Sequence, residues 1–305
     1  MGKIIVIAGP TCSGKTSLSL DVAGKIKSEI ISADSRQVYK YLNIGTAKPS
    51  NAELRKVKHH LINVLEPTDD FNAGRFVEHA ERIILQLHSE NKIPIVSGGT
   101  GLYIKSLIDG IINTIDTNEE LRTELLEKRK SFGNEYLYNE LKKVDSKSAS
   151  TMAPQNWKRV MRALEVYYIS GKPIWQHFQE HKKKTDYQFH HFGLEWDRTA
   201  LYKRIEDRVD LMITNGLVDE VKYILRMGYS KEINALNTVG YKEIISYLEN
   251  EISLERAIEL IKRNTRHYAK RQMTWFRKDK RIIWFKIEQK NQIDEIASKI
   301  VLSIR

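Results

Sequence analysis

The residues with the clearest chemistry form one glycine-rich stretch near the start of the chain, Gly9-Pro10-Thr11-Cys12-Ser13-Gly14-Lys15-Thr16. Its spacing is that of the phosphate-binding loop G-x-x-x-x-G-K-[ST], in which backbone N–H groups and a lysine surround a phosphate chain. Gly9 and Gly14 permit the positive φ angles that such a loop needs. Lys15 supplies a cation, and Thr16 supplies a hydroxyl ligand for Mg²⁺. The stretch predicts a diphosphate or triphosphate site but does not specify what is attached to the phosphates.

The elements that must position this loop are visible on either side of it. The apolar run Ile4–Ala8 predicts a buried strand before the loop, and apolar residues spaced as on a helix follow it, at Leu18, Leu20, Val22 and Ala23. A strand, a glycine-rich turn and a helix start are the context that a P-loop requires. The chain is therefore predicted to have an α/β fold, built on a P-loop NTPase-like parallel sheet.

Two further strand ends are expected at the same edge of the sheet. The strand Glu29–Ala33 ends at Asp34, and ligands of open parallel sheets bind beyond the carboxyl ends of the strands. The strand Ile93–Ser97 leads into Gly98-Gly99-Thr100-Gly101 and a helix beginning near Leu102. These glycines either let a large ligand approach the backbone or form a tight structural turn, and the pattern leaves both explanations open.

Two polar pairs have less specific patterns. Thr46 and Lys48 lie in a Gly- and Pro-containing loop, where they either contact anionic oxygens or are simply solvated. His59 and His60 precede a predicted strand, Leu61–Leu65. Adjacent residues on a strand point to opposite faces, so the two histidines are not expected to share a metal, and a structural or hydrogen-bonding role is predicted.

The middle of the chain predicts an all-helical insertion. From Glu119 to about His181 the sequence is charged and helix-forming, without a convincing strand, and the basic run at 181–184 is expected to be its solvated end. Its predicted apolar stripes are Leu121, Leu125 and Leu126; Tyr136, Leu137 and Leu141; and Val160, Leu164, Val166 and Tyr167. The predicted domains are residues 1–112 and 187–305 for the core, and residues 113–186 for the insertion.

The last third of the chain concentrates positive charge. A strand is predicted at Phe189–Leu194 and a helix at Thr199–Thr214. Arg204 and Arg208 stand four residues apart on this helix and repel each other. Either neighbouring Asp207 and Asp210 or a bound anion would relieve that repulsion.

A basic helical region follows. Residues 255–286 contain eleven Lys or Arg and three Asp or Glu, which accounts for eight of the eleven net positive charges. Aromatic residues interleave with these cations at Tyr268, Trp275 and Phe276. This pattern suits a nucleic-acid backbone, and the alternative is a basic helix whose aromatic residues belong to the core.

Composition narrows the class of protein. The chain has 305 residues and a single cysteine, so an internal disulfide is excluded and a reducing compartment is favoured. No apolar run approaches the roughly 20 residues of a membrane span. Met1-Gly2-Lys3 leads directly into the first strand, and no signal peptide is expected. We therefore predict a cytoplasmic protein without membrane association.

A series of segments resembles the tRNA dimethylallyltransferases, also called tRNA isopentenyltransferases. They are GPTCSGKT (9–16), ADSRQVY (33–39), GTAKP (45–49), HHLI (59–62), GGTGLYIK (98–105), KRVMRALEVY (158–167), GKPI (171–174), LYKRIEDRVDLM (201–212), NTVGYKE (237–243) and TRHYAKRQMTWFR (265–277). They occur in the family's order and span nearly the whole chain. Cys12 stands where the family usually has Ala, and residues 153–157 are an unusual approach to Lys158.

The resemblance implies a transferase for tRNA modification. Its members move a dimethylallyl group from dimethylallyl diphosphate to N6 of the adenine 3′ of the anticodon and release diphosphate. It also implies Mg²⁺ as cofactor, a helical insertion that grips the anticodon stem-loop, and a P-loop that holds diphosphate rather than ATP. We also expect a monomer.

The resemblance also suggests roles for individual residues. The amides of Gly9–Thr16, Lys15, Mg²⁺ held by Thr16, and Arg208 in preference to Arg204 would stabilise the leaving diphosphate, and Asp34 would be the general base. The residues placed against tRNA are Asp34, Ser35, Arg36, Gln37, Thr100, Arg122, Lys158, Arg159, Val160, Met161, Arg162, Asn237, Tyr241 and Lys242.

Three other functions remain open from the sequence. An isopentenyltransferase acting on free adenine nucleotides would share the chemistry but would need neither the insertion nor the basic region. A P-loop kinase for a small molecule would turn over ATP. A non-catalytic RNA-binding protein with a relic P-loop would not need Lys15, Thr16 and Asp34 together.

Overall fold

The computed structural model describes residues 2–110, 118–180, 187–289 and 291–304. Its strands are β1 (Gly2–Ala8), β2 (Ile30–Ser32), β3 (His59–His60), β4 (Ile95–Gly98), β5 (Tyr187–Trp196) and β6 (Ile283–Ile287). They form one six-stranded sheet in the order β3-β2-β4-β1-β5-β6, and every pairing is parallel. The predicted P-loop NTPase-like parallel sheet is confirmed.

The central strand β1 explains why its sequence is a continuous apolar run. It pairs with β4 on one side and β5 on the other, and Ile4, Ile5, Val6 and Ile7 are each 0% exposed. A strand of a parallel sheet that is covered on both faces has no polar side to alternate with. Ala8 is level with Gly98 of β4 and with Gly193 of β5, so the loops after these strands leave the sheet at one edge.

Helices alternate with the strands along the chain. They are α1 (Lys15–Ile26), α2 (Asn51–Lys56), α3 (Ala73–Ser89), α4 (Gly101–Asp109), α5 (Glu119–Val144), α6 (Ser146–Ala149), α7 (Trp157–Ser170), α8 (Ile174–Glu180), α9 (Arg198–Thr214), α10 (Leu217–Arg226), α11 (Tyr241–Leu248), α12 (Leu254–Phe276) and α13 (Gln292–Ser303). The helices predicted to begin near Leu102 and at Thr199 each begin within one residue of the expected position. No helix in the described part of the chain is long and apolar enough to cross a bilayer.

Two apolar cores hold the site-bearing elements in place. In the first, Leu18 and Val22 of α1 pack with Ile300 of α13 against the sheet. In the second, α9, α10, α11 and α12 pack together around buried residues such as Val209 and Ile261. The first core fixes the helix that follows the P-loop, and the second fixes α9 and α12, which carry cationic residues of the predicted site.

The chain divides into two compact units. Unit 1 comprises Met1–Ile108 and Thr185–Arg305, and unit 2 comprises Asp109–Lys184. The boundary predicted at 112/113 and the basic run 181–184 lie outside the described residues, as does residue 186 of the second boundary. These limits stay predictions.

The described part of unit 2 contains helices α5 to α8 and no strand. Its core contains Leu125, Leu137, Leu141, Val160 and Leu164, all 2% exposed or less. The prediction for Leu126 was wrong, because this side chain is 41% exposed. Leu126 follows Leu125 by one residue, a rotation of about 100° that carries it off the buried face.

The strand predicted at Leu61–Leu65 is also wrong. His59 and His60 themselves form β3, paired with Ile30 and Ile31 of β2. Leu61 and Asn63 have positive φ angles of 61° and 56°, which end the extended conformation. Both histidines are hydrogen-bonded, as predicted: His59 Nδ1 lies 2.8 Å from the carbonyl oxygen of Val57, and His60 Nε2 lies 2.7 Å from Glu29.

Candidate active site

The P-loop joins β1 to α1 with its amides exposed to a cavity. Gly14 is the N-cap of α1, with φ 97° and no side-chain cap, so the first amides of α1 have no capping side chain as partner. A Cβ atom on Gly14 would lie 2.9 Å from Cδ1 of Ile293, which is a second reason for glycine there. Cys12 also has positive φ, at 64°, and is 3% exposed. The loop therefore has the conformation that directs consecutive N–H groups and a helix N-terminus towards an anion.

Lys15 is folded against this loop. Its Nζ donates a 2.6 Å hydrogen bond to the carbonyl oxygen of Pro10. Burial and the positive charge of Arg208 lower the pKa of Lys15 to about 8, while Asp34 acts in the opposite direction. Lys15 thus shares its surroundings with both of these predicted site residues.

The two arginines of α9 also contact the P-loop. Arg204 Nε donates to the carbonyl oxygen of Cys12 at 2.9 Å, and its guanidinium lies 4.2 Å from the ring centre of Trp196. Arg208 donates from one terminal nitrogen to Oγ1 of Thr11 at 3.3 Å. Burial and then repulsion from Arg208 lower the pKa of Arg204, although Cys12 partly offsets these effects.

The acidic residues offered as relief for this repulsion are engaged elsewhere. Asp207 pairs with Lys203 at 2.9 Å, and Asp210 pairs with Lys262 at 2.6 Å. Among the described residues, no carboxylate lies within ion-pair distance of Arg204 or Arg208. The loop is therefore lined by three cationic side chains whose charges a bound anion would balance.

Asp34 follows β2 and lines the same cavity as these cations. Its Oδ1 accepts hydrogen bonds from the backbone N–H groups of Arg36 at 2.8 Å and Gln37 at 3.2 Å. Burial, followed by the charge of Asp34, raises the pKa of Tyr268 to about 12. The carboxylate is therefore held by its own turn and lies near α12.

All these groups line one cavity of about 790 Å³ in unit 1. Its wall contains Thr11–Thr16, Asp34–Gln37, Gly45–Pro49, Gly98, Gly99, Arg204, Arg208, Thr238, Val239, Gly240, Tyr268 and Gln272, among others. This volume is within the range of small-molecule sites, about 300–1,000 Å³. The tertiary structure thus brings the P-loop, the predicted base and the predicted diphosphate arginine together.

The second glycine-rich turn has a structural explanation. A Cβ atom on Gly98 would lie 2.1 Å from the carbonyl oxygen of Ala33, and one on Gly99 would lie 2.3 Å from Nε2 of Gln272. Other protein groups, rather than a ligand, therefore require these glycines. Thr100 Oγ1 accepts a hydrogen bond from the backbone N–H of Ser35 at 3.1 Å and is not part of the described cavity wall.

The loop with Thr46 and Lys48 lines the cavity, but its polar groups bond to protein. Lys48 Nζ donates to the carbonyl oxygen of Tyr39 at 2.7 Å and to Oδ1 of Asn63 at 2.5 Å. Burial lowers its pKa to about 8. Thr46 Oγ1 donates to the carbonyl oxygen of Leu42 at 2.7 Å. Both side chains stabilise the loop.

Two residues placed against tRNA have side chains that are buried inside the protein. Tyr241 is 0% exposed and donates a 2.6 Å hydrogen bond to Glu220. Val160 is 0% exposed in the core of unit 2. These predictions are corrected: both side chains are packing residues, since the apolar face of each helix turns them inward. Lys242, next to Tyr241 in the chain, and Asn237, four residues before it, are exposed.

The remaining predicted tRNA residues of unit 2 lie on α5 and α7. Lys158 and Arg159 are exposed, and Met161 is half-buried. Arg122 and Arg162 both bind Glu165, a carboxylate that is 1% exposed. Glu165 was missed from the sequence, although an acid between Leu164 and Val166, within a predicted apolar stripe, was a usable signal.

The basic region is partly structural. Five of its cations form ion pairs: Arg256 with Glu259, Lys262 with Asp210, Arg266 with Glu206, Arg277 with Glu195, and Arg281 with Asp279. Phe276 is 3% exposed, whereas Tyr268 is 36% exposed. A second cavity, of about 440 Å³, is lined by His267, Lys270, Arg271, Thr274, Trp275 and Lys278. The core explanation therefore holds for Phe276. Binding of a nucleic-acid backbone by the exposed cations stays a prediction.

Fold and site together define the class of protein. A parallel sheet, a P-loop at the carboxyl end of the inner strand β1, and a cavity lined by cations and a carboxylate are the features of a P-loop α/β protein.

Comparison with known proteins identifies the family. The model of the IPP transferase family matches residues 37–279. A tRNA dimethylallyltransferase from Acetivibrio thermocellus is 46% identical over 302 residues, which cover 98% of this chain and 96% of that protein. A protein of the same name from Carboxydothermus hydrogenoformans is also 46% identical, over 301 residues, with the same coverage. The chain belongs to the IPP transferase family.

Solved structures agree with this assignment. A full-length tRNA isopentenylpyrophosphate transferase from Bacillus halodurans superimposes with a TM-score of 0.73 at 37% identity, covering 99% of this chain and 96% of that one. A eukaryotic dimethylallyltransferase, described as acting on tRNA, gives a TM-score of 0.84 at 31% identity, covering 100% of this chain and 78% of that one.

Proposed function

We propose that this protein transfers a dimethylallyl group from dimethylallyl diphosphate to N6 of the adenine 3′ of the anticodon in tRNA, and releases diphosphate. The observation that carries the proposal is that Lys15 and Arg208 at the P-loop line the same cavity as Asp34. Relatives that match nearly the full chain bear the name tRNA dimethylallyltransferase. The prenyl-transfer chemistry below assigns a role to each of these groups.

The cationic wall suits the leaving group. As the C–O bond of the allylic diphosphate breaks, negative charge grows on the diphosphate. The P-loop amides, Lys15 and Arg208 are fixed where that charge develops, so they stabilise the transition state without reorganising. The arrangement serves a diphosphate ester without any transfer of phosphate.

Asp34 suits the adenine amine that accepts the dimethylallyl group. The exocyclic amine of adenine is a poor nucleophile, since its lone pair is delocalised into the ring. The N–C bond forms as the C–O bond breaks, and N6 must lose a proton. Asp34 accepts that proton as general base, with Oδ1 held by two backbone N–H groups. Water must be kept away, because it would capture an allylic cation.

Mg²⁺ fits the donor groups of this cavity. Among the described residues, no cluster of three or more His, Cys, Asp or Glu is able to hold a metal. Mg²⁺ commonly binds one or two protein oxygens and completes its shell with substrate phosphates and water. The Thr16 hydroxyl would hold it here, beside a bound diphosphate. When bound, the ion would neutralise charge on the leaving group.

The RNA-facing residues are also a proposal. In unit 1 they are Asp34–Gln37, Thr100, Asn237 and Lys242; in unit 2 they are Arg122, Lys158, Arg159, Met161 and Arg162. Three exposed cations line the second cavity, Lys270 and Arg271 on α12 and Lys278 just after it, and they suit phosphates of an RNA backbone. The target adenine must leave the stack of the anticodon loop to reach Asp34. A cytoplasmic monomer is the expected form of the protein.

The test is a transfer assay with radiolabelled dimethylallyl diphosphate and an anticodon stem-loop, with AMP and ATP in parallel. We expect Mg²⁺-dependent label in the RNA alone, and no label when the target adenine is replaced by guanine. Label in AMP or ATP would instead make the protein an isopentenyltransferase of free nucleotides. Consumption of ATP without any transfer of label would make it a kinase.

A further inference from the structure

We propose that Gln272 is a positioning residue that sets the conformation of the P-loop from α12 and thereby couples diphosphate binding to RNA binding. Its Oε1 accepts a 2.8 Å hydrogen bond from the backbone N–H of Thr11, and its Nε2 donates a 2.8 Å hydrogen bond to the carbonyl oxygen of Gly99. One side-chain amide thus joins two loops that follow neighbouring strands β1 and β4. The coupling to RNA rests on the proposed function.

Burial makes this connection specific. Gln272 is 7% exposed, so loss of either hydrogen bond would leave a buried polar group without a partner. A Cβ atom on Gly99 would lie only 2.3 Å from Nε2 of Gln272. Gln272 therefore needs a glycine at position 99. Substitution of either Gln272 or Gly99 should break the hydrogen bond between them.

The connection reaches the diphosphate site through Thr11. The backbone N–H of Thr11 is held by Gln272, and the hydroxyl of Thr11 accepts a hydrogen bond from Arg208. A change in Gln272 therefore moves the segment that carries the P-loop amides, together with a group bonded to the predicted diphosphate arginine. The expected consequence is a weaker hold on diphosphate.

The connection reaches the RNA side through α12. Lys270 and Arg271 directly precede Gln272 and line the exposed cationic cavity of that helix. Six residues before Gln272 on α12, Arg266 donates a 2.7 Å hydrogen bond to Glu206 of α9. An RNA that displaces α12 therefore acts on the P-loop through Gln272, and by thermodynamic reciprocity diphosphate must alter the affinity for RNA by the same factor.

The experiment measures two affinities and their coupling. Inorganic pyrophosphate with Mg²⁺ is titrated by calorimetry, and a labelled anticodon stem-loop is titrated by fluorescence anisotropy with and without saturating pyrophosphate. We compare the wild-type protein with Gln272→Met, which keeps the volume but removes both hydrogen bonds, and with Gly99→Ala. Glu259→Asp, which keeps the charge of an exposed residue on α12 that lines neither cavity, is the control.

We expect both variants to bind pyrophosphate about 10-fold more weakly, equivalent to about 1.4 kcal/mol. In the wild-type protein pyrophosphate should alter stem-loop affinity by a factor of about five or more. In both variants that factor should approach one, and in Glu259→Asp it should be unchanged.

A purely structural role would lower the melting temperature and leave the coupling factor unchanged. That result, or pyrophosphate affinity within twofold of wild type in Gln272→Met, would overturn the proposal. A coupling factor of one in the wild-type protein would also overturn it. If the wild-type protein does not bind the stem-loop, the proposed function fails, and the pyrophosphate titration alone decides whether Gln272 positions the P-loop.

Discussion

One terminal nitrogen of Arg162 donates a 2.6 Å hydrogen bond to Oε2 of Glu165, a carboxylate that is 1% exposed. The other carboxylate oxygen accepts from Nε of Arg122 at 2.9 Å and from the backbone N–H of Asn118 at 3.2 Å. One buried carboxylate therefore fixes arginines of two helices, α5 and α7. Removal of the arginines would leave a buried carboxylate without a countercharge, which destabilises the fold. The three side chains therefore act as a unit.

Glu165→Gln should weaken binding of the stem-loop about 10-fold, because an amide cannot neutralise and orient both guanidinium groups. Pyrophosphate affinity should not change. The measurement is fluorescence anisotropy over a range of salt concentrations, with Glu127→Gln, an exposed acid on α5, as the control for net charge. In an Arg122→Ala/Arg162→Ala background the substitution should have no further effect on RNA affinity. An equal loss in that background would contradict a role through the arginines.

The lowered pKa of Lys15 predicts how the affinity for diphosphate depends on pH. Its pKa is lowered to about 8 by burial and by Arg208, so the ammonium form is complete only below that value. A bound diphosphate favours the ammonium form, and affinity should fall as pH rises through about 8, with proton uptake on binding in that window. The probe is a saturated alkyl diphosphate, whose phosphate ionises near pH 6.

Lys48 is the matched control for this titration, since burial lowers its pKa to about 8 as well. Lys15→Arg should flatten the pH profile, because guanidinium stays charged throughout this range. Lys48→Arg should leave the midpoint in place. A midpoint that vanishes with Lys48→Arg and persists in Lys15→Arg would assign the titration to the other lysine.

Arg208→Ala should lower kcat about 100-fold, and Arg204→Ala should lower it less. Arg208 shares the surroundings of Lys15 and bonds to the Thr11 side chain, so its charge is available to the diphosphate. Arg204 is stacked on Trp196 and bonded to the Cys12 carbonyl, so its loss should loosen the P-loop and raise KM for the diphosphate. Steady-state kinetics with Arg204→Lys alongside separate the two effects, and the reverse order of kcat would exchange their roles.

Asp34→Asn should reduce the single-turnover rate about 100- to 10,000-fold. The amide oxygen can still accept from the N–H groups of Arg36 and Gln37, so the turn should persist and stem-loop affinity should stay within about twofold. Rapid quench with saturating enzyme measures the chemical step directly. A normal single-turnover rate would exclude Asp34 as the base.

Outside the candidate site, the lowered pKa of Glu29 predicts that the protein loses stability at acid pH. Burial opposes ionisation of this carboxyl, but hydrogen bonds from Lys92, His60 and Lys58 outweigh it and lower the pKa of Glu29 to about 2. The stabilisation is therefore complete above the ordinary value of 4.5 and is lost as pH falls towards 2.

Glu29→Gln should reduce the free energy of unfolding at pH 7 by about 2 kcal/mol, and the difference from wild type should shrink as the solution is acidified. Denaturant titrations at several pH values measure this, with the exposed Glu251→Gln as control. A difference that stays constant down to the most acid pH would mean that packing, rather than charge, is lost.

Local patterns sufficed for the elements that carry the chemistry. The glycine spacing and the apolar run predicted the P-loop directly after β1, and the end of β2 predicted Asp34 at the same edge of the sheet. These predictions succeeded because strand and turn signals act over a few neighbouring residues. The two-residue strand β3 escaped prediction because its extended conformation comes from pairing with β2, not from its own residues.

Tertiary structure alone decided what each polar side chain contacts. Asp207 and Asp210 stand beside the two arginines in sequence, yet they pair with Lys203 and Lys262. Gln272 meets Thr11 across 261 residues of chain. The sequence by itself therefore determined the P-loop, the sheet and the family resemblance. Partners such as those of Gln272 and Glu165 followed only from packing, because a hydrogen bond between distant segments leaves no periodic signal in either of them.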